Sequence, residues 1–220
     1  MLSAELVNDL IPSLKTSDTG DRALALMHDF KISHLPIVNE TQFLGLISED
    51  EILEMSDTFE AIGSIELRLV HPYVYAWQHL YDVMKLMSTQ KLSIVPVLDV
   101  KENYLGMISI NSMINYFSEI TSLENQGAVI VLEIDQRNYS LSEIARIVES
   151  NDAHVLSSYI KTISDSTKLE ITLKVDKEDV NGIVQTFERF NYIVHSFYKQ
   201  KIDMDDTMDR FDSFMKYLNI

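Results

Sequence analysis

Apolar positions in the first 122 residues fall into two matching sets. In the first set, Ala23, Leu24, Met27 and Phe30 recur at helical spacing, with Asp18 and Thr19 just ahead of them as caps. Two short apolar runs follow, HLPIV and FLGLI, parted by the polar turn NETQ. Short apolar runs bounded by a polar turn predict a buried hairpin. SEDEILEM then predicts a helix with Ile52, Leu53 and Met55 turned inward. The second set repeats the order: a helix carrying Leu80, Met84 and Met87, then SIVPVL, YLGMI and SINSMINYF.

The two sets are in register. At an offset of 60, Pro12 falls on Pro72, Met27 on Met87, Lys31 on Lys91, Ser33 on Ser93 and Pro36 on Pro96. Beyond the hairpin turn the offset becomes 61, because DVKEN is one residue longer than NETQ. Leu44 then meets Leu105, Gly45 meets Gly106, Ile47 meets Ile108 and Ser48 meets Ser109. An insertion confined to a turn is what a structural repeat tolerates. Residues 1–60 and 61–122 therefore read as two β-α-β-β-α modules. One such module is too small to bury much surface alone, whereas two facing copies cover each other's sheets.

The pattern changes after residue 122. AVIVLEI is a strand, and SLSEIARIVES a helix with Leu141, Ile144, Ile147 and Val148 on one face and Ser140 with Glu143 as its cap. HVLSSYIKTI and KLEITLKV are strands; in the latter Leu169, Ile171, Leu173 and Val175 alternate with polar residues, so one face is buried. DVNGIVQTFERF is a helix and YIVHSFYKQ a last strand. The order β-α-β-β-α-β over residues 127–201 predicts a ferredoxin-like sandwich. In residues 202–220, Met204, Met208, Phe211, Met215 and Leu218 form an amphipathic helical stripe, to be packed on the same protein or offered to a partner groove or dimer contact. The fold class is α+β.

Charge narrows the partners. Residues 1–122 hold 7 Lys and Arg against 17 Asp and Glu, a net −10; residues 123–220 hold 11 against 17, a net −6; together they make −16. Such a field repels nucleic-acid phosphates and anionic membranes. No apolar run is long enough to span a bilayer, and MLSAELVNDLIPSL lacks the basic start and apolar block of a secretory signal. With no cysteine there is no disulfide, thiolate metal site or cysteine nucleophile, and a cytoplasmic home is the simplest expectation.

The paired pattern of an apolar-Pro-apolar strand, a turn, and an apolar-Gly-apolar strand ending on serine resembles a tandem pair of cystathionine-β-synthase (CBS) domains over residues 1–122. The resemblance implies a regulatory module with two clefts that hold adenosine-containing ligands, among them AMP, ADP, ATP and S-adenosylmethionine. The family motif runs glycine, two apolar residues, threonine or serine, two residues, then aspartate. Here it reads Gly45, Leu46, Ile47, Ser48, Glu49, Asp50, Glu51, and then Gly106, Met107, Ile108, Ser109, Ile110, Asn111, Ser112. Glu51 replaces the aspartate with a longer acid, and Ser112 replaces it with no acid. The same residues also have a purely structural reading. Ser48 with Glu51 is a capping box, Ser109 an N-cap, and the glycines serve close backbone approach.

Lys31, His34 and Lys91 are the nearest candidates to meet a phosphate. With so few cations in this half, AMP, adenosine or S-adenosylmethionine is expected ahead of ATP. The alternative for Lys31 and Lys91 is a solvated loop, and for His34 a half-buried strand position. Residues 127–201 resemble an ACT domain, a small module that senses amino acids and dimerises. The family's glycine in the first strand-to-helix turn is absent, since that turn reads DQRNYS. The CBS–CBS–ACT order resembles the acetoin-utilisation regulatory proteins, whose biochemical role is not carried over.

Nothing argues for catalysis. The six glycines never cluster into a phosphate loop, no G-x-S-x-G turn occurs, and the six histidines show no metal spacing. Two functions from different classes remain. One is a non-enzymatic sensor of an adenosine-containing ligand that signals to its own assembly state or to a protein partner. The other is a ligand-free homodimeric scaffold with degenerate clefts.

Overall fold

A computed structural model describes residues 2–7, 10–64 and 70–199. The helix expected over 202–220 lies outside the described residues. The chain forms two compact units, residues 1–116 and 117–220.

In the first unit the duplication is visible bond by bond. Helix α1 (Gly20–Phe30) starts at Thr19, whose side chain accepts the Arg22 N–H at 3.3 Å, and ends at Lys31 in the left-handed conformation, φ 55°. Its counterpart α3 (Leu80–Gln90) starts at His79, which accepts the Tyr81 N–H at 3.2 Å, and ends at Lys91, φ 54°. The hairpin β1 (His34–Asn39) with β2 (Gln42–Ser48) is matched by β4 (Ile94–Leu98) with β5 (Tyr104–Ser109). Pro36 faces Leu46, and Pro96 faces Met107. Both hairpins slip register at the same point, between Ile37 and Val38 and between Val97 and Leu98. Opposite these slips stand Gly45, φ 146°, and Gly106, φ 143°. Only glycine adopts that conformation without strain, so both copies keep one there.

The modules face each other about an approximate twofold axis, because equivalent residues meet across it. Gln42 bridges to Asn103, the rings of Phe43 and Tyr104 stack at 6.5 Å, and the Ser33 N–H reaches the Ser93 hydroxyl at 3.0 Å. Leu35, Ile37, Leu46 and Ile47 of one module share a single core with Ile94, Val97, Met107 and Ile108 of the other.

Three expectations for this unit need correction. The strand opening each module is short: β3 (Val74–Tyr75) pairs parallel with β4, and in the first module only Leu14 bridges to Ile37. There the Lys15 N–H turns to the Asp18 carboxylate at 2.8 Å, which bends the chain out of the sheet. Helix α2 spans only Glu49–Leu53; Ile52 is fully buried but Leu53 is 62% exposed, because in this short helix Ile52 takes the core face and its neighbour falls round to the solvent side. In α3, Val83 joins Leu80 and Met87 in the core, and Met84 lies outside it. Helix α4 (Ile110–Ile120) follows β5.

The second unit has the ferredoxin-like arrangement: β6 (Ala128–Asp135), α5 (Leu141–Glu149), β7 (Val155–Thr162), β8 (Lys168–Val175), α6 (Asn181–Arg189) and β9 (Ile193–Lys199). The sheet order is β7-β8-β6-β9, all antiparallel. Ile130, Leu132, Ile171 and Leu173 pack under Ile144, Ile147, Val148, Ile183 and Phe187. Leu141, expected on the inner face of α5, is exposed. Among the described residues, no helix is long and apolar enough to cross a membrane.

Candidate ligand site at the seam between the modules

The hairpins bring the start of β1 and the start of β4 together. At this point His34 Nδ1 lies 3.1 Å from the Ser33 hydroxyl and 3.1 Å from the Ser93 hydroxyl. The Ser93 backbone N–H also points to it, at 3.4 Å. A backbone N–H only donates, so Nδ1 accepts and the proton of the neutral ring sits on Nε2. Burial holds the His34 pKa below the usual histidine value, against the opposing pull of Glu51 and then Asp50. His34 also faces Ser48 in the β1–β2 register, which places the first motif serine beside this cluster.

The motif residues bond to one another. The Ser48 N–H and hydroxyl both donate to one Glu51 carboxylate oxygen at 2.7 Å, and the Glu51 N–H returns to the Ser48 hydroxyl at 3.2 Å. That is the capping box. In the second module, Ser109 and Ser112 share a hydroxyl hydrogen bond of 2.9 Å, and the Ser112 N–H reaches Ser109 at 3.1 Å. Ser109 is buried, at 3% exposure. Lys31 and Lys91 are exposed, and their backbone N–H groups close the ends of α1 and α3. The structure thus joins His34 to Ser33 and Ser93, sets Ser48 opposite it, and leaves both lysines at helix ends.

Two features escape a reading by motif. Ser33 and Ser93 match each other in the repeat, and that match is the signal that they meet at the axis. The second is an aromatic row, His71, Tyr73, Tyr75 and Trp77, written as every other residue of HPYVYAW. It continues into Phe43, whose ring lies 6.2 Å from His71 and 6.5 Å from Tyr73. Among the described residues, no group of three or more His, Asp or Glu is placed to hold a metal ion.

The family model of the CBS domain matches residues 4–57 and again 66–119. Residues 4–119 are a tandem pair of CBS domains. Such pairs are regulatory modules. Three solved structures are similar to about half of this chain. A CBS domain pair/ACT domain protein of Thermotoga maritima is 17% identical, with 54% of this chain and 98% of that one covered and a TM-score of 0.48. CBSX2, solved in complex with AMP, is 19% identical over 54% of this chain and 97% of its own, TM-score 0.47. The CBS domain of a bacterial CNNM/CorC family Mg2+ transporter, solved in complex with ATP, is 16% identical over 52% and 85%, TM-score 0.42.

Proposed function

We propose that the CBS pair senses an adenosine-containing ligand of low charge (AMP, adenosine or S-adenosylmethionine) at the seam, and passes the change to its assembly state or to a protein partner. The observation that carries this reading is the meeting of Ser33, His34 and Ser93 at the axis. A ligand there touches both modules at once, so it biases the angle between them. Such coupling is typically about 1–3 kcal/mol, enough for a several-fold response. Ser48 and Ser109 offer further hydroxyls; Lys31, Lys91, Glu51 and Ser112 take part only if their side chains leave the positions described above. The second unit, ACT-like in its topology, serves as the homodimerising piece in a cytoplasmic, non-enzymatic regulator.

A rival reading, the ligand-free scaffold, draws on one observation of its own. The Glu51 carboxylate is occupied by Ser48, and Ser112 offers no acid in its place. Thermal unfolding of the full chain with each ligand separates the two. AMP or S-adenosylmethionine raises the midpoint by a few degrees in the wild type and not in His34→Ala; a flat response to every adenosine ligand supports the scaffold.

A further inference from the structure

We propose that the hairpin-turn end of the CBS pair carries a second site, which binds the head group of an organic cation such as a quaternary ammonium. This inference does not rest on the adenosine reading. The seam lies where β1 and β4 begin, whereas this groove lies where they end. A cavity of about 340 Å³ opens there, lined by the rings of Phe43, His71 and Tyr73, by the polar Thr41, Gln42, Lys101, Glu102 and Asn103, and by Leu98.

Four observations point to a cation without hydrogen-bonding groups. First, three of the lining residues are rings set across one another, since His71 and Tyr73 each stand at 76° to Phe43. Crossed rings make the corner of a box, and aromatic boxes hold alkylated cations through their negative faces. Second, part of the polar lining is already engaged. The Asn103 side-chain NH₂ donates to Asp99 at 2.8 Å, and its carbonyl accepts from Thr41 at 3.3 Å. A ligand that needs hydrogen bonds gains little there, and an alkylated head group needs none. Third, a carboxylate stands in the lining. Glu102 lies on the wall, close enough to the Tyr75 hydroxyl to help push that pKa up to about 12, after the larger effect of the hydrogen bond with Tyr73. Lys101 also lines the groove, and its charge acts on Asp99, helping to lower that carboxylate's pKa after the hydrogen bonds from Asn103.

The fourth observation is the break in the repeat. The residues equivalent to His71, Tyr73, Tyr75 and Trp77 are Ile11, Ser13, Lys15 and Ser17. The fold is therefore built once without the rings. The one-residue insertion that spoils the register falls in the turn that supplies Lys101 and Glu102. What the second copy adds to the first is this wall.

Trp77, the chain's only tryptophan, stacks on Tyr75 at 5.8 Å, and Tyr75 touches Tyr73 at 5.3 Å, so its fluorescence reports on the row. The test titrates choline chloride into the full chain, followed by Trp77 fluorescence and by calorimetry, with sodium chloride as the ionic-strength control. The neutral isostere 3,3-dimethyl-1-butanol is run alongside. Choline is expected to bind saturably in the millimolar range or tighter, about tenfold better than its isostere. Tyr73→Ala and the exposed Glu102→Gln each weaken it by about fivefold. AMP does not compete with choline for its site. No saturable response beyond that of sodium chloride, equal affinity for the isostere, an unchanged affinity in Glu102→Gln, or competitive displacement of choline by AMP would each overturn the proposal.

Discussion

His34 is the residue on which the seam turns. Its folded pKa lies below the unfolded value of about 6.5. As pH falls, the unfolded chain takes up this proton first, so stability is full above about 6.5 and declines as pH drops toward the folded pKa. Protonation also puts a hydrogen on Nδ1, where the Ser93 N–H already points. Urea unfolding of wild type and His34→Gln between pH 7.5 and 5.5, values about one unit either side of the unfolded pKa, should show the smaller pH-dependent loss in the variant. An equal loss would remove His34 from the balance. Gly45 and Gly106 hold the strained positions opposite the register slips. Gly106→Ala is expected to cost about 1–3 kcal/mol by chemical denaturation. The sequence reveals such glycines and the Ser48–Glu51 pair because their spacing is local. It carries the meeting of Ser33 with Ser93 only indirectly, through their match in the repeat, because the contact itself depends on how two hairpins 60 residues apart fit together.

Helices and hairpins declare themselves through their periods. α1, α3 and both hairpins lie where helical spacing and short apolar runs put them. The opening strand of the first module is the exception. Its span is decided by a competition at Lys15, whose N–H is taken by Asp18, and apolar pattern carries no record of that. Caps are the part of an element most easily tested. The Ser48 hydroxyl serves α2 and the Ser140 hydroxyl serves α5, accepting the Glu143 N–H at 3.3 Å. Ser48→Ala and Ser140→Ala should each lower stability by about 1 kcal/mol in urea denaturation, with no effect as the result that contradicts the capping role. α5 is also tied to the second unit's core edge by the Tyr192 hydroxyl, which donates to Glu143 at 3.1 Å. Burial first, and this bond second, push the Tyr192 pKa up to about 12.

For the whole molecule, the decisive feature is a duplicated fold closed about its own axis and set in a strongly acidic chain. The net charge of −16 favours ligands with few negative charges, so AMP should bind more tightly than ATP in calorimetry; the reverse order would show that local cations outweigh the field. The most direct test of the account is a titration of AMP into the isotopically labelled full chain, followed amide by amide by NMR. The account predicts saturable shifts at Ser33, His34, Ser93 and Ser109. Saturable shifts that leave these four amides unmoved, or none at all as AMP approaches the millimolar range, would contradict it.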